Sequence, residues 1–197
     1  MANTSSARIL PADKSEWAPE LVEFIGSFRS SVLGDIPADT HPAGANLLGT
    51  LARYPALTKA FLTFNGHLLY GSTLTDRQRE LMILRVAAIR ECDYEWAQHS
   101  ILAKIAGVPP EQIDKVADIE LGDEWTVAEK ALLAATDELL SDGVVGTPTW
   151  KILAGEFDER QLMDIVFTVG TYDMLAMAMR SFGIEPDEDL KPYLPKR

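Results

Sequence analysis

The amino-acid sequence predicts an all-α fold, and three observations carry the prediction. Apolar residues recur at three- and four-residue steps in one segment after another. Helix-start signatures stand ahead of several of these segments, and no period-2 run of β-branched residues competes with them. The first helix is expected over roughly 16–31, where Trp17, Leu21, Phe24, Ile25 and Phe28 share a face. Residues 34–42 are rich in Gly, Asp and Pro and read as a loop. A short helix follows from Asn46 to Arg53. Pro55 then opens another, which buries Leu57, Phe61 and Phe64 and runs to about Tyr70.

The strongest start signal is Thr75 followed by Asp76 and Gln78, the arrangement of a capping box. It leads an apolar helix from Asp76 to about Glu91, a break near Cys92 and Asp93, and a second helix to Ala106. Gly107 stops that helix, and Val108-Pro109-Pro110 prevents its continuation. Pro110 opens a short helix. Thr126 with Glu129 forms a second capping box, leading a helix to about Ser141. Gly143 to Gly146 is a turn, and the last helix spans Asp158 to Phe182, with Gly183 as its stop and Pro186 beyond. Asp76-Arg77-Gln78 echoes Glu159-Arg160-Gln161, through either an old hairpin duplication or chance.

The chain has 197 residues, enough to bury a real core without staples, as one domain or one domain with an extra segment. Hydrophobic residues make up 47% and charged residues 24%, the composition of a globular protein. With 30 acidic residues against 18 basic ones, the net charge is −12. That balance argues against nucleic acid and against an anionic membrane surface, both of which reward Lys and Arg. Small molecules and other copies of the chain remain as partners. Ten acids and two lysines fall within residues 111–142, while residues 53–104 hold seven bases and five acids. The acidity therefore reads as a solvated surface, separate in sequence from the candidate site below.

Cys92 is the single cysteine, so no intramolecular disulfide can form. A thiolate zinc site would need its other ligands from His41, His67 and His99 or from carboxylates; the histidines show no tight paired spacing, and no metal is expected. Residues 1–6 show no signal-peptide pattern. The uncharged stretch from Ala60 to Thr75 is interrupted by Asn65, Gly66, His67 and Gly71, so no membrane span is expected there. A cytoplasmic protein is the expectation.

The chemistry-bearing residues concentrate between Glu80 and His99. If a helix starts near Asp93, then Cys92, Glu95 and His99 fall three and four residues apart on one stripe. A histidine one turn from a carboxylate can serve as a general acid/base, because the carboxylate raises its basicity and orients it. A cysteine at a helix N-terminus is favoured as thiolate. Glu80, near the start of the preceding antiparallel helix, is placed to reach His99. Each residue also has a plain reading: Glu95–His99 as an exposed helix pair, Cys92 as a small buried hydrophobe, and Glu80 as a complement to its own helix dipole. Tyr94 and Trp96 are core or interface aromatics, or else they line a pocket. Arg85 interrupts the apolar run from Leu81 to Ile89, so it must pair, snorkel, or hold an anionic ligand. His67 reads as a partly buried histidine whose polar neighbours would suit a cavity.

The stretch from Leu74 to Gly107, with Cys92-Asp93-Tyr94-Glu95-Trp96 and His99, resembles the carboxymuconolactone decarboxylase family, which includes the alkylhydroperoxidase D-like proteins. The resemblance extends more loosely from about Asn46 to Gly183 and leaves out the first forty residues. It implies an alkylhydroperoxidase D-like helical bundle built on a helical hairpin core. The implied layout is an N-terminal extension over 1–45, the family domain over 46–185 and a tail over 186–197. It also implies homo-oligomers, as dimer, trimer or hexamer, and no cofactor. The peroxidase branch carries a Glu, a C-x-x-C pair and a His; Glu80, Cys92 and His99 match, and Glu95 stands at the second cysteine. A two-thiol cycle cannot close within such a subunit. The resemblance therefore implies lyase- or isomerase-type acid/base chemistry on a small lactone-like or carboxylic acid substrate. In it His99 acts as acid/base, Glu95 and Glu80 orient it, and Arg85 holds the anion. Cys92 and Tyr94 would be auxiliary or pocket groups. The alternatives are a one-Cys thiol peroxidase using Cys92 and a non-catalytic oligomeric binding protein.

Overall fold

Every regular element among the described residues is a helix or a helical turn. The computed structural model describes residues 7–33 and 44–195, apart from the side chains of 29–33. The expected 34–42 loop, the N-terminal residues 1–6 and His41 lie outside the described residues. The helices are α1 (Pro19–Leu33), α2 (Ala45–Leu51), α3 (Pro55–Gly66), α4 (Asp76–Ile89), α5 (Asp93–Ile105), α6 (Pro110–Lys115), α7 (Val127–Asp142), α8 (Thr147–Glu156) and α9 (Glu159–Phe182). Short 3-10 turns stand at Lys14–Glu16 and Glu188–Tyr193, and a single π-helical turn spans His67–Gly71.

α4 is the central element and packs against α5, α7 and α9. Every residue from Arg79 to Ala87 is buried, because two cores use opposite faces of the helix. Met82, Ile83 and Val86 enter a large core with Leu132, Ile165, Val169 and Tyr172. Leu81, Leu84 and Ala87 enter a second with Trp96, Val108, Ile113, Trp125 and Leu133. Each fully buried Leu, Ile or Met contributes about 1.5–3 kcal/mol relative to exposure. An apolar run with no polar face is the sequence trace of a helix enclosed on all sides.

The capping boxes form as the spacing requires. Thr75, Thr126 and Asp158 each accept from the backbone N–H three residues on, and Gln78, Glu129 and Gln161 return the bond. α9 is long and apolar enough to cross a membrane by length and composition alone, but half of its apolar window is packed inside the fold. Between α4 and α5 the chain turns sharply, with Glu91 in the left-handed region at φ 50° and Cys92 as the N-cap of α5.

Three elements differ from expectation. α8, which the sequence reading did not foresee, has Pro148 in its first turn but no side-chain cap of its own: Glu138 of α7 caps it, accepting from Gly146 N at 2.7 Å and from the Thr149 hydroxyl at 2.6 Å. The helix expected to run to Tyr70 gives way after Gly66 to the π turn. The segment expected as a tail folds back instead, with Leu190 fully buried and Asp187 accepting from Asn46 N and from the Tyr94 hydroxyl.

Candidate active site

α4 and α5 run antiparallel, and their pairing brings Glu80 to His99. Glu80 Oε2 lies 2.7 Å from His99 Nδ1, and both side chains are almost fully buried. The Tyr172 ring of α9 meets the His99 ring edge-to-face, with centroids 5.0 Å apart. A carboxylate on Nδ1 and an aromatic edge on the ring hold the imidazole in one orientation and leave Nε2 as its reactive nitrogen. The other oxygen of Glu80 accepts from Arg79 Nε at 3.3 Å, and Arg79 Nη2 lies 3.0 Å from Asp76.

These groups line a cavity of about 430 Å³, within the range of small-molecule sites. Its polar lining comes from Asn65, Tyr70, Asp76, Arg79, Glu80, Gln98, His99 and Tyr172. The rest is aliphatic or aromatic, from Leu47, Leu48 and Leu51 of α2, Phe61 and Leu62 of α3, Leu102 and Ile105 of α5, and Leu175 of α9. Ile25 and Phe28 of α1 complete the wall, so the N-terminal region that the family resemblance left out belongs to the site. Tyr172 stays a neutral phenol: burial pushes its ionisation well up, and the Glu80 charge adds to this.

Among the eight residues singled out from sequence, only His99 and Glu80 line the cavity. Glu95 shares the stripe but does not orient His99, because neither of its buried carboxyl oxygens has a hydrogen-bond partner. Burial holds that carboxyl well above the ordinary range, and the Asp173 charge adds to the effect. Cys92 is 2% exposed. Its position at the helix start does not produce a thiolate: burial, then the nearby Glu95, push the thiol up to about 12. The loss of solvation outweighs the helix dipole.

Arg85 is not an anion holder for the cavity. Its guanidinium forks onto Asp137 at 2.6 and 2.7 Å and donates to the Val116 and Asp118 carbonyls, tying α4 to α7 and the α6 exit. Tyr94 points away to Asp187 and the Leu47 backbone, and Trp96 packs in the second core. His67 sits at the surface, 59% exposed, with Nε2 3.5 Å from Asp164. The residues missed from sequence are Arg79 and Tyr172. Arg79 precedes Glu80 at the edge of the apolar run, where a charge reads as solvated. Tyr172 follows the spacing of the buried face of α9 and reads as core.

The family described as the carboxymuconolactone decarboxylase family matches residues 55–138, which carry Glu80, Cys92, Glu95 and His99. Over these residues the chain is similar to that family. No curated protein matches the chain. Among solved structures, this family fold recurs over nearly the whole length. The debrominase Bmp8, solved as a variant in complex with 2,3,4-tribromopyrrole, superposes with a TM-score of 0.75 at 17% identity, covering 95% of this chain and 96% of that one. An alkylhydroperoxidase AhpD core protein described as peroxidase-related, from Ralstonia eutropha JMP134, gives a TM-score of 0.72 at 21% identity, covering 97% and 100%. A peroxidase-related protein from Silicibacter sp. TM1040 gives 0.72 at 17%, covering 96% and 97%. At these identities the likeness establishes an alkylhydroperoxidase D-like helical fold and nothing narrower.

Proposed function

We propose that this carboxymuconolactone decarboxylase-like chain is a cofactor-independent enzyme doing lyase- or isomerase-type acid/base chemistry on a small lactone-like or carboxylic acid substrate. The observation that carries this reading is the buried Glu80–His99 pair on the wall of a largely apolar cavity that opens to solvent. His99 Nε2 delivers or removes a proton at the substrate, and Glu80 supports the imidazolium as it forms. Arg79 takes the anion-holding role first given to Arg85. Its protein contacts engage Nε and Nη2, and Nη1 makes none among the described residues. The Asp76 partner is 73% exposed and easily replaced by an incoming carboxylate. The tribromopyrrole complex of the debrominase supports a small cyclic ligand for a cavity in this fold.

A thiol peroxidase is the second reading, favoured by the peroxidase-related relatives. Against it stand a buried thiol outside the cavity lining and an unfavourable thiolate. A panel of lactones, carboxylic acids and hydroperoxides separates the two. The acid/base reading expects turnover of a lactone or acid that His99→Ala abolishes and Cys92→Ser largely keeps. The same reading expects no rapid sulfenic acid at Cys92 by mass spectrometry after mild peroxide; the opposite pattern refutes it.

Self-association is part of the proposal. α9 turns Met163, Val166, Phe167, Met174 and Met177 outward, each 37–60% exposed. At about 100° per residue all five fall on one side of the helix and make one apolar stripe, suited to a second copy of the chain.

A further inference from the structure

The Glu80 carboxylate has two oxygens with two different partners. Oε2 meets His99 Nδ1 at 2.7 Å and Oε1 meets Arg79 Nε at 3.3 Å. Arg79 is 8% exposed, and Asp76 braces it from the far side. We infer that Arg79 is a positioning residue: by taking one oxygen of Glu80 it aims the other at His99 and limits the negative charge that the imidazole meets. This rests on the assignment of His99 as the acid/base, and it assigns Arg79 an effect in the absence of any substrate.

The physical argument is a competition for one anion. A carboxylate shared with a guanidinium holds an imidazolium less strongly than one dedicated to it, because the cation withdraws electron density and repels the second positive charge. The arrangement places His99 between two demands. Glu80 supports positive charge on the ring, and Arg79 draws on the same carboxylate. Arg79 weakens that support while Nδ1 stays hydrogen-bonded, which leaves Nε2 free to give and take a proton. α4 supplies Arg79, Glu80 and Asp76, α9 supplies the neutral phenol of Tyr172, and the π turn places Tyr70 on the cavity wall. Glu95 lies on the same helix as His99, one turn earlier. The C-terminal turn packed on α5 sends Asp187 to Tyr94.

The test is the NMR titration midpoint of the His99 ring in the substrate-free full-length protein, with His67→Gln and His41→Gln used for assignment. Arg79→Met is expected to raise the midpoint by about one pH unit. Arg79→Lys keeps the charge without the fork and is expected to raise it less. It also guards against a Met variant that fails to fold. In a Glu80→Gln background, the further loss of Arg79 is expected to move the midpoint by less than half as much, because the shared carboxylate is gone. A midpoint that stays put or falls in both Arg79 variants overturns the inference. So does a full-sized shift that persists without Glu80, which would mean that Arg79 acts on His99 directly. If His99→Ala keeps full turnover while Arg79→Met moves the midpoint, the acid/base assignment fails and the positioning role stands.

Discussion

Glu95 makes a prediction that needs no substrate. It sits at the third position of α5, 1% exposed, with both carboxyl oxygens lacking a hydrogen-bond partner. Burial and the Asp173 charge hold its ionisation well above the ordinary carboxylate range, so the folded protein keeps a proton that the unfolded chain releases. A folded-state pKa raised above the unfolded value contributes stability that is fully present below about pH 4.3 and is lost as pH rises towards the folded-state ionisation. The loss is about 1.4 kcal/mol for every pH unit in which the fold holds the proton and the unfolded chain does not. Glu95→Gln removes this dependence while keeping the size of the side chain. Urea unfolding at pH 5, 6 and 7 measures it, below the range where Cys92 begins to titrate. The expected result is a wild-type stability that falls relative to the variant by about 1.4 kcal/mol per unit, whatever constant offset the glutamine amide introduces. Two curves that run parallel in pH would refute a protonated Glu95 and the burial argument behind it.

Other predictions follow from single contacts. Arg85→Met removes a buried fork onto Asp137 and two carbonyl bonds, and is expected to cost about 3 kcal/mol in urea unfolding without changing ligand affinity. A Cβ added at Gly66 would collide with the ring of Phe28. Gly66→Ala is therefore expected to push α1 off the cavity, seen as faster amide exchange confined to α1 and the cavity rim. Met174→Glu places a charge in the outward stripe of α9, and is expected to lower the sedimenting mass of any oligomer while leaving the helical signal unchanged. An unaltered sedimentation profile would remove α9 from the interface.

The all-α class, the capping boxes of α4, α7 and α9, and the α4–α5 hairpin were all written locally, in residues no more than four apart. Helix starts are decided by such short-range bonds, so spacing is enough to find them. The pairing of Glu80 with His99 was also legible, because antiparallel helices joined by a three-residue turn have little freedom in register. What lay outside the sequence was every choice made by a distant partner. α8 starts where Glu138 caps it from another helix. Arg85 is consumed by Asp137, and Glu95 is left with no partner although it shares His99's stripe. Arg79 and Tyr172 reach the cavity only because α4, α5 and α9 enclose it together. Sequence determined which residues can carry charge or protons on each helix. Tertiary packing determined which of them keep solvent, a partner or neither, and desolvation then decided that Glu80 and His99 remain a polar pair while Cys92 and Glu95 become neutral core.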